Sequence, residues 1–346
     1  MNNSTHFFTL RPYKRFCLTF ILAVSLVLLG ACQQSAEPAM PPTSVPAVVE
    51  INTQLAPTEK PTVTLEPSAT PTITPLPTET ATPTELPEDF WQDLPVIPTE
   101  ISDAMREVYQ RGLSMGNDPR IFTKLGDCNS MSPDFLHGFG GLYNLGEYTY
   151  LQPVIDYYQH AFRLPNQATN PGTTTSRLLS TLWTGEPCMG DELMIDCQFR
   201  LDNPSIAIIS LGTIDAKYNY LDPAAFERNL RMIIENTLAR GIVPVLATKA
   251  DNLEGDNSIN ETIARLALEY ELPLWNFWRA AQDTVNHGLL PDLEHLNTLT
   301  GPPSTDFSVP ISMKYGKEIK NFTGLQMLEF LMHELAAPTV NTTQAP

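Results

Sequence analysis

Ser205-Ile-Ala-Ile-Ile-Ser-Leu211 carries no charge and shows no alternation of apolar with polar residues. A strand with one wet face alternates, whereas a strand covered on both faces reads as a continuous apolar run. This stretch therefore predicts an interior strand of a parallel sheet. The next thirty residues fit a crossover helix. Asp222 and Pro223 supply an N-cap and a first-turn proline, Phe226, Leu230, Ile233, Ile234 and Leu238 recur on one face, and Gly241 ends the pattern. Ile242-Val-Pro-Val-Leu-Ala247 is the next strand. Ser258 with Glu261 matches a capping box ahead of the stripe Ile259, Ile263, Leu266 and Tyr270. Leu272-Pro-Leu-Trp275 is a short strand, and Leu325, Leu328, Leu331, Met332 and Leu335 mark a closing helix. Upstream, Ile121 to Gly126 reads as a strand, and Leu151 to Phe162 and Thr174 to Trp183 as helices. Strands alternating with helices of this length predict an α/β domain over residues 99–337, a three-layer α/β/α sandwich around a mostly parallel sheet. Ligands of such sheets sit at the carboxyl ends of the strands. Attention falls on the residues after Gly126, after Leu211, and in the late loop around His295.

The first thirty residues have a different logic. The basic residues Arg11, Lys14 and Arg15 precede an apolar run from Leu18 to Leu29, which ends in Leu29-Gly30-Ala31-Cys32. A charged segment, a short apolar segment and small residues before a processing site read as a secretory signal over 1–31. The run falls short of the ~20 apolar residues that a membrane span needs. Leu-Gly-Ala-Cys resembles the bacterial lipobox, in which the cysteine is acylated and becomes the mature N-terminus. The expectation is a cell-membrane lipoprotein anchored through Cys32 on the extracytoplasmic face, where more than one acyl chain makes attachment stable.

Residues 32–98 are dominated by Pro, Thr, Ser and Glu, as in Pro71-Thr-Ile-Thr-Pro-Leu-Pro-Thr-Glu-Thr-Ala-Thr-Pro-Thr. Such frequent proline removes amide donors and fixes φ, so the segment reads as a disordered, semi-rigid stalk. At ~3.1 Å per residue its proline-rich part, from about Pro38 to Pro98, could reach about 190 Å when stretched. Residues 338–346 read as a flexible tail. The chain has a formal net charge of −18, which argues against nucleic acid and anionic lipid as partners and leaves attachment to the lipid anchor. Past Cys32 the cysteines are Cys128, Cys188 and Cys197, an odd number for an oxidising compartment. Cys188 and Cys197 bracket a loop-like stretch suited to a local bridge.

Four blocks, in order, resemble the SGNH (GDSL-like) hydrolases. Gly126-Asp127-Cys128 stands after the first strand where the family carries Gly-Asp-Ser. Asn170-Pro-Gly172 stands where its second block supplies a glycine amide. Leu211-Gly-Thr-Ile-Asp215 stands where it carries Gly-x-Asn-Asp, and Asp292-Leu-Glu-His295 where it closes with Asp-x-x-His. The resemblance implies a flavodoxin-like sandwich bearing an esterase or deacetylase site that acts on acylated carbohydrate or lipid esters. Cys128, His295 and Asp292 would be the catalytic set, and the amides of Cys128 and Gly172 the oxyanion donors. Two departures stand out: Cys128 replaces the nucleophilic serine, and Ile214 replaces the asparagine that would donate to the oxyanion.

Three readings of Cys128 stay open. It is a thiol nucleophile activated by His295, a structural cysteine in a domain that has lost catalysis, or a disulfide partner of Cys188 or Cys197. The functional classes divide accordingly into a hydrolase and a degenerate protein of the same fold that binds glycan or another surface partner. Ser130 and Ser132 read as helix-start hydroxyls. His137 and His287 are candidates for the rim of the site, whereas His160 and His333 fall in helical patterns. No histidines or cysteines recur at metal-ligand spacing and no glycine-rich phosphate loop leads from a strand into a helix, so the sequence predicts neither metal nor cofactor.

Overall fold

The computed structural model describes residues 86–87, 89–182, 184–219 and 222–336. The signal 1–31 with Cys32, most of the spacer and the tail 338–346 lie outside the described residues. The chain enters with α1 (Asp103–Met115) and β1 (Asp118–Gly126), followed by α2 (Gln152–Tyr157), α3 (Thr175–Leu178) and α4 (Met194–Asp202). Then come β2 (Pro204–Ser210), α5 (Thr213–Asn219), α6 (Pro223–Ala239), β3 (Val243–Ala247) and α7 (Ser258–Glu269). It closes with β4 (Leu274–Trp275), α8 (Phe277–Gln282) and α9 (Gly316–Ala336).

The four strands pair in parallel in the order β1-β2-β3-β4, flanked by helices. Every residue of β2 and β3 is buried. Successive side chains of a strand point to opposite faces, so complete burial means that both faces of the sheet are covered. The register places Gly126 opposite Ser210, Ile209 opposite Leu246 and Ala247 opposite Trp275, which brings the carboxyl ends of the strands to one edge. The crossover helix begins where the sequence predicts, with Asp222 accepting from the Ala225 amide at 3.1 Å and Pro223 in the first turn. Just beyond its end Gly241 takes φ +68°, a left-handed turn that suits glycine.

Several expectations need correction. The ordered domain starts before residue 99: Trp91 is 1% exposed, packs edge-on against Trp278 at 4.7 Å, and its carbonyl accepts from Asn276 Nδ2 at 2.8 Å. One aromatic side chain here outweighs the proline-rich composition around it. The region 151–162 buries Leu151, Val154, Ile155, Tyr158 and Phe162 as its periodicity implies, but only Gln152–Tyr157 is α-helical, with 3₁₀ turns on either side. The helix expected over 174–183 shrinks to α3, because Ser180 Oγ accepts from the Leu182 amide and turns the chain. No capping box forms at Ser258: it is already helical, and its amide donates to Asp256 Oδ1 at 3.0 Å. The closing helix begins nine residues before Leu325, at Gly316, and its early turns bury Glu318, Lys320, Asn321 and Thr323. Among the described residues, no helix is long and apolar enough to cross a membrane.

Candidate active site

At Gly126 the first strand gives way to a sharp turn. A Cβ there would lie 2.5 Å from Ser130 Cβ and 2.9 Å from the Ser210 carbonyl oxygen, so the close approach requires glycine. Asp127 is buried and caps the 3₁₀ turn Cys128–Ser130 by accepting from the Asn129 amide at 3.0 Å. Burial pushes the Asp127 carboxyl up to about 6, against the pull of nearby Lys320. Cys128, half-buried and free of any disulfide, follows on the turn. Burial first, then the negative charges of Asp127 and Glu294, push its thiol up to about 12.

The late loop arrives at the same place. Cys128 and His295 line one cavity of about 190 Å³, together with Asn129, Phe135, Leu296 and Lys320. The Cys128 sulfur, a ring nitrogen of His295 and a carboxylate oxygen of Glu294 lie within 4.8 Å of one another. Asp292 Oδ2 sits 2.8 Å from His295 Nδ1, and Asp292 Oδ1 accepts from the amides of Glu294 and His295 at 3.0 Å. Those amides, followed by the His295 ring, hold the Asp292 carboxyl down to about 2. Asp292 thus stays ionised and fixes the imidazole with Nε2 available, as an orienting carboxylate does in a nucleophile–base–acid set.

Residues without a motif complete the arrangement. Asn129 Nδ2 donates to the Glu294 carbonyl at 2.9 Å, and Asn129 Oδ1 accepts from the Leu296 amide at 3.1 Å. These two bonds tie the elbow to the late loop. Lys217 of α5 holds Glu294 Oε2 at 2.6 Å. Beneath the cavity Lys320 reaches Ser210 Oγ at 3.1 Å and Ser130 Oγ at 3.3 Å, and its ammonium lies 5.0 Å from the Phe135 ring centre. On the same ring, 5.6 Å away, sits the ammonium of Lys124, which donates to the Phe135 carbonyl at 2.9 Å. Burial holds both lysines down to about 8. Nothing in one sequence flags them, since a helical or strand lysine ordinarily reads as solvated.

The remaining candidates fall elsewhere. Gly172 lines a different, open cavity with Thr174, Ser176, Arg177 and Ser180. Ile214 is 1% exposed in the first turn of α5 and is not part of the lining of the Cys128 cavity. Next to it, Asp215 accepts from the Thr175 amide at 2.9 Å and hydroxyl at 2.7 Å, pinning α5 to α3. Ser130 and Ser132 are partnered with Lys320 and Lys124. His137 and His287 do not line the cavity, and His333 is exposed beside Glu329. Cys188 and Cys197 are joined by a disulfide with their Cα atoms 5.4 Å apart.

No family model matches the chain, and no curated protein sequence matches it either. Among solved structures it is similar to the psychrotrophic esterase EstA from Pseudoalteromonas sp., in a structure inhibited by monoethylphosphonate. The identity is 16%, the match covers 62% of this chain and 99% of that one, and the TM-score is 0.39.

Proposed function

We propose that the domain is an ester hydrolase of the SGNH type, with Cys128 as nucleophile, His295 as base and Asp292 as the group that orients it. The observation that carries this reading is the convergence of the Cys128 sulfur and the His295 ring in one cavity, with Asp292 on the far nitrogen of that ring. The thiol is protonated at rest, so the base works during attack. Nε2 takes the proton as sulfur bonds to the ester carbonyl carbon. Collapse expels the alcohol, which leaves with that proton, and a water then hydrolyses the thioester with Nε2 again as base. The substrate class is an acylated carbohydrate or a small ester, met at the outer face of the membrane by a chain tethered at Cys32. Turnover of p-nitrophenyl acetate by the intact protein tests the chemistry: hydrolysis lost in Cys128→Ala and after iodoacetamide supports it. Hydrolysis that survives both removes Cys128 from the mechanism. Release of a Cys32→Ser variant from the membrane fraction tests the anchor separately.

A second reading has its own support. The Ile214 side chain offers no donor, and neither it nor Gly172 lines the Cys128 cavity, which favours a reduced oxyanion hole. Losing one such donor costs about 100- to 1,000-fold in turnover. On that reading the domain binds glycan or another surface partner without turning it over, and total absence of hydrolysis with retained carbohydrate binding would favour it.

A further inference from the structure

We propose that Cys128, Glu294 and His295 form a binding site for a zinc-like divalent cation at the mouth of the Cys128 cavity. The proposal is independent of the hydrolase reading, because it asks only that a thiol, a carboxylate and an imidazole meet. They do: one ligand atom from each lies within 4.8 Å of the other two. The spacing of these residues along the chain gave no hint of such a site, since the thiol comes from the elbow and the other two from the late loop.

Two of the three ligands, His295 and Glu294, are aimed by a partner outside the trio. Asp292 at 2.8 Å from Nδ1 leaves the Nε2 lone pair of His295 free, the arrangement in which a carboxylate orients a metal-bound histidine. Lys217 engages Glu294 Oε2 at 2.6 Å, leaving Oε1 as the oxygen that faces Nε2, at 4.0 Å. The two hydrogen bonds of Asn129 hold both loops in register. Tetrahedral zinc at ~2.0 to 2.3 Å from its ligands needs them closer than this, by roughly 1 Å. A modest swing of the half-exposed His295 ring supplies much of that movement.

Chemistry selects the ion. Sulfur and imidazole ligands favour zinc over magnesium or calcium, which prefer all-oxygen shells. Three protein ligands leave the fourth position open to the cavity, as in zinc sites that exchange water. Binding forms the sulfur–zinc bond and sends the thiol proton to solvent. Of the charges around it, Lys217 is already engaged by Glu294, Lys317 by Asp134 and Asp292 by the His295 ring. The buried Asp127 and Lys320 beneath offset one another, so the new thiolate is balanced by the ion itself.

The test is titration of zinc chloride into the intact, chelator-treated protein by calorimetry. One ion per chain is expected, with proton release. Cys128→Ser and His295→Ala should abolish uptake, and Asp292→Asn should weaken it about 10- to 100-fold. Cobalt chloride on the unaltered protein should give a thiolate-to-metal charge-transfer band, which guards against a variant that fails to fold. Absence of stoichiometric uptake, uptake unchanged in Cys128→Ser, or equal affinity for magnesium would overturn the proposal. Ester hydrolysis is assayed separately with chelator present. Zinc uptake without hydrolysis sinks only the hydrolase reading, and hydrolysis without uptake sinks only the metal site.

Discussion

Asn129 and Glu294 are bonded through the Asn129 side-chain amide and the Glu294 carbonyl at 2.9 Å, although 165 residues separate them. With the return bond from the Leu296 amide, this contact sets the distance between the thiol and the imidazole. Asn129→Ala removes both bonds while leaving every reacting group chemically intact. We expect about 100-fold lower kcat for ester hydrolysis, the usual scale for a displacement near 1 Å. Lost stability should stay within about 1–3 kcal/mol. Steady-state kinetics beside urea unfolding would separate the two, and an unchanged kcat would refute the positioning role.

Cys128→Ser should retain ester hydrolysis. Burial pushes the thiol up to about 12, so on the hydrolase reading proposed above His295 removes a proton during attack, which a hydroxyl also allows. The serine variant should be indifferent to iodoacetamide, whereas the unaltered protein should lose its activity to it. A dead serine variant beside an active wild type would show that intrinsic thiol nucleophilicity is indispensable.

Ile214→Asn would place the family's donor at the expected position, yet the structure predicts no gain. The side chain is 1% exposed and does not line the Cys128 cavity, so the larger polar amide enters a closed, buried position. A loss of about 1–3 kcal/mol is expected on thermal or urea unfolding. Faster ester hydrolysis in this variant would place the oxyanion beside Ile214 after all.

Much of this was readable beforehand, for physical reasons. The continuous apolar run of β2, the N-cap at Asp222 and the turn at Gly241 are local signals, and local signals survive into the structure. The blocks at Cys128 and Ile214 follow directly on β1 and β2, whereas Gly172 and His295 stand in loops that no strand end announces. What the sequence concealed is long-range and polar. Asn129 looks like any loop residue until its partners 165 and 167 residues away are known. Lys320 lies on a helical turn whose buried residues are charged or polar, so no apolar stripe betrays it. Trp91 was lost in a proline-rich stretch because composition averages over neighbours, whereas packing depends on one side chain.

The two buried lysines give a pH signature. Lys124 and Lys320 sit at about 8 when folded, against an ordinary 10.5 that the unfolded chain retains. Between those values the unfolded state binds more protons, so stability should rise from about pH 8 toward pH 10. Above about 10 the buried Tyr109 and Tyr158, both raised by burial, reverse the slope because the unfolded tyrosines ionise first. Urea midpoints from pH 7.5 to 10 would show the rise, and Lys124→Met should flatten it. A midpoint that falls through this range would contradict the burial of these ammonium groups.

Reduction of Cys188–Cys197 is the simplest stability test. The bridge spans nine positions, and closing so short a loop is worth about 2 to 3 kcal/mol in the chain-entropy model. Cys188→Ser with Cys197→Ser should lower the urea midpoint accordingly while leaving the Cys128 cavity, which neither residue lines, able to react with iodoacetamide. Loss of that reactivity would mean that the bridge supports the site itself.

Phe135 lies with two ammonium groups on its ring, in a chain whose formal charge is −18. Hydrolysis of an ester creates an anion where none existed. On the hydrolase reading proposed above, a neutral ester meets no opposition from that net negative charge, whereas its carboxylate product does. Exit and re-entry both meet a barrier, and dissolved salt lowers it. On that reading ionic strength becomes a control on how fast the acid leaves, and the charge of the whole chain takes part in a cycle whose chemistry sits at Cys128.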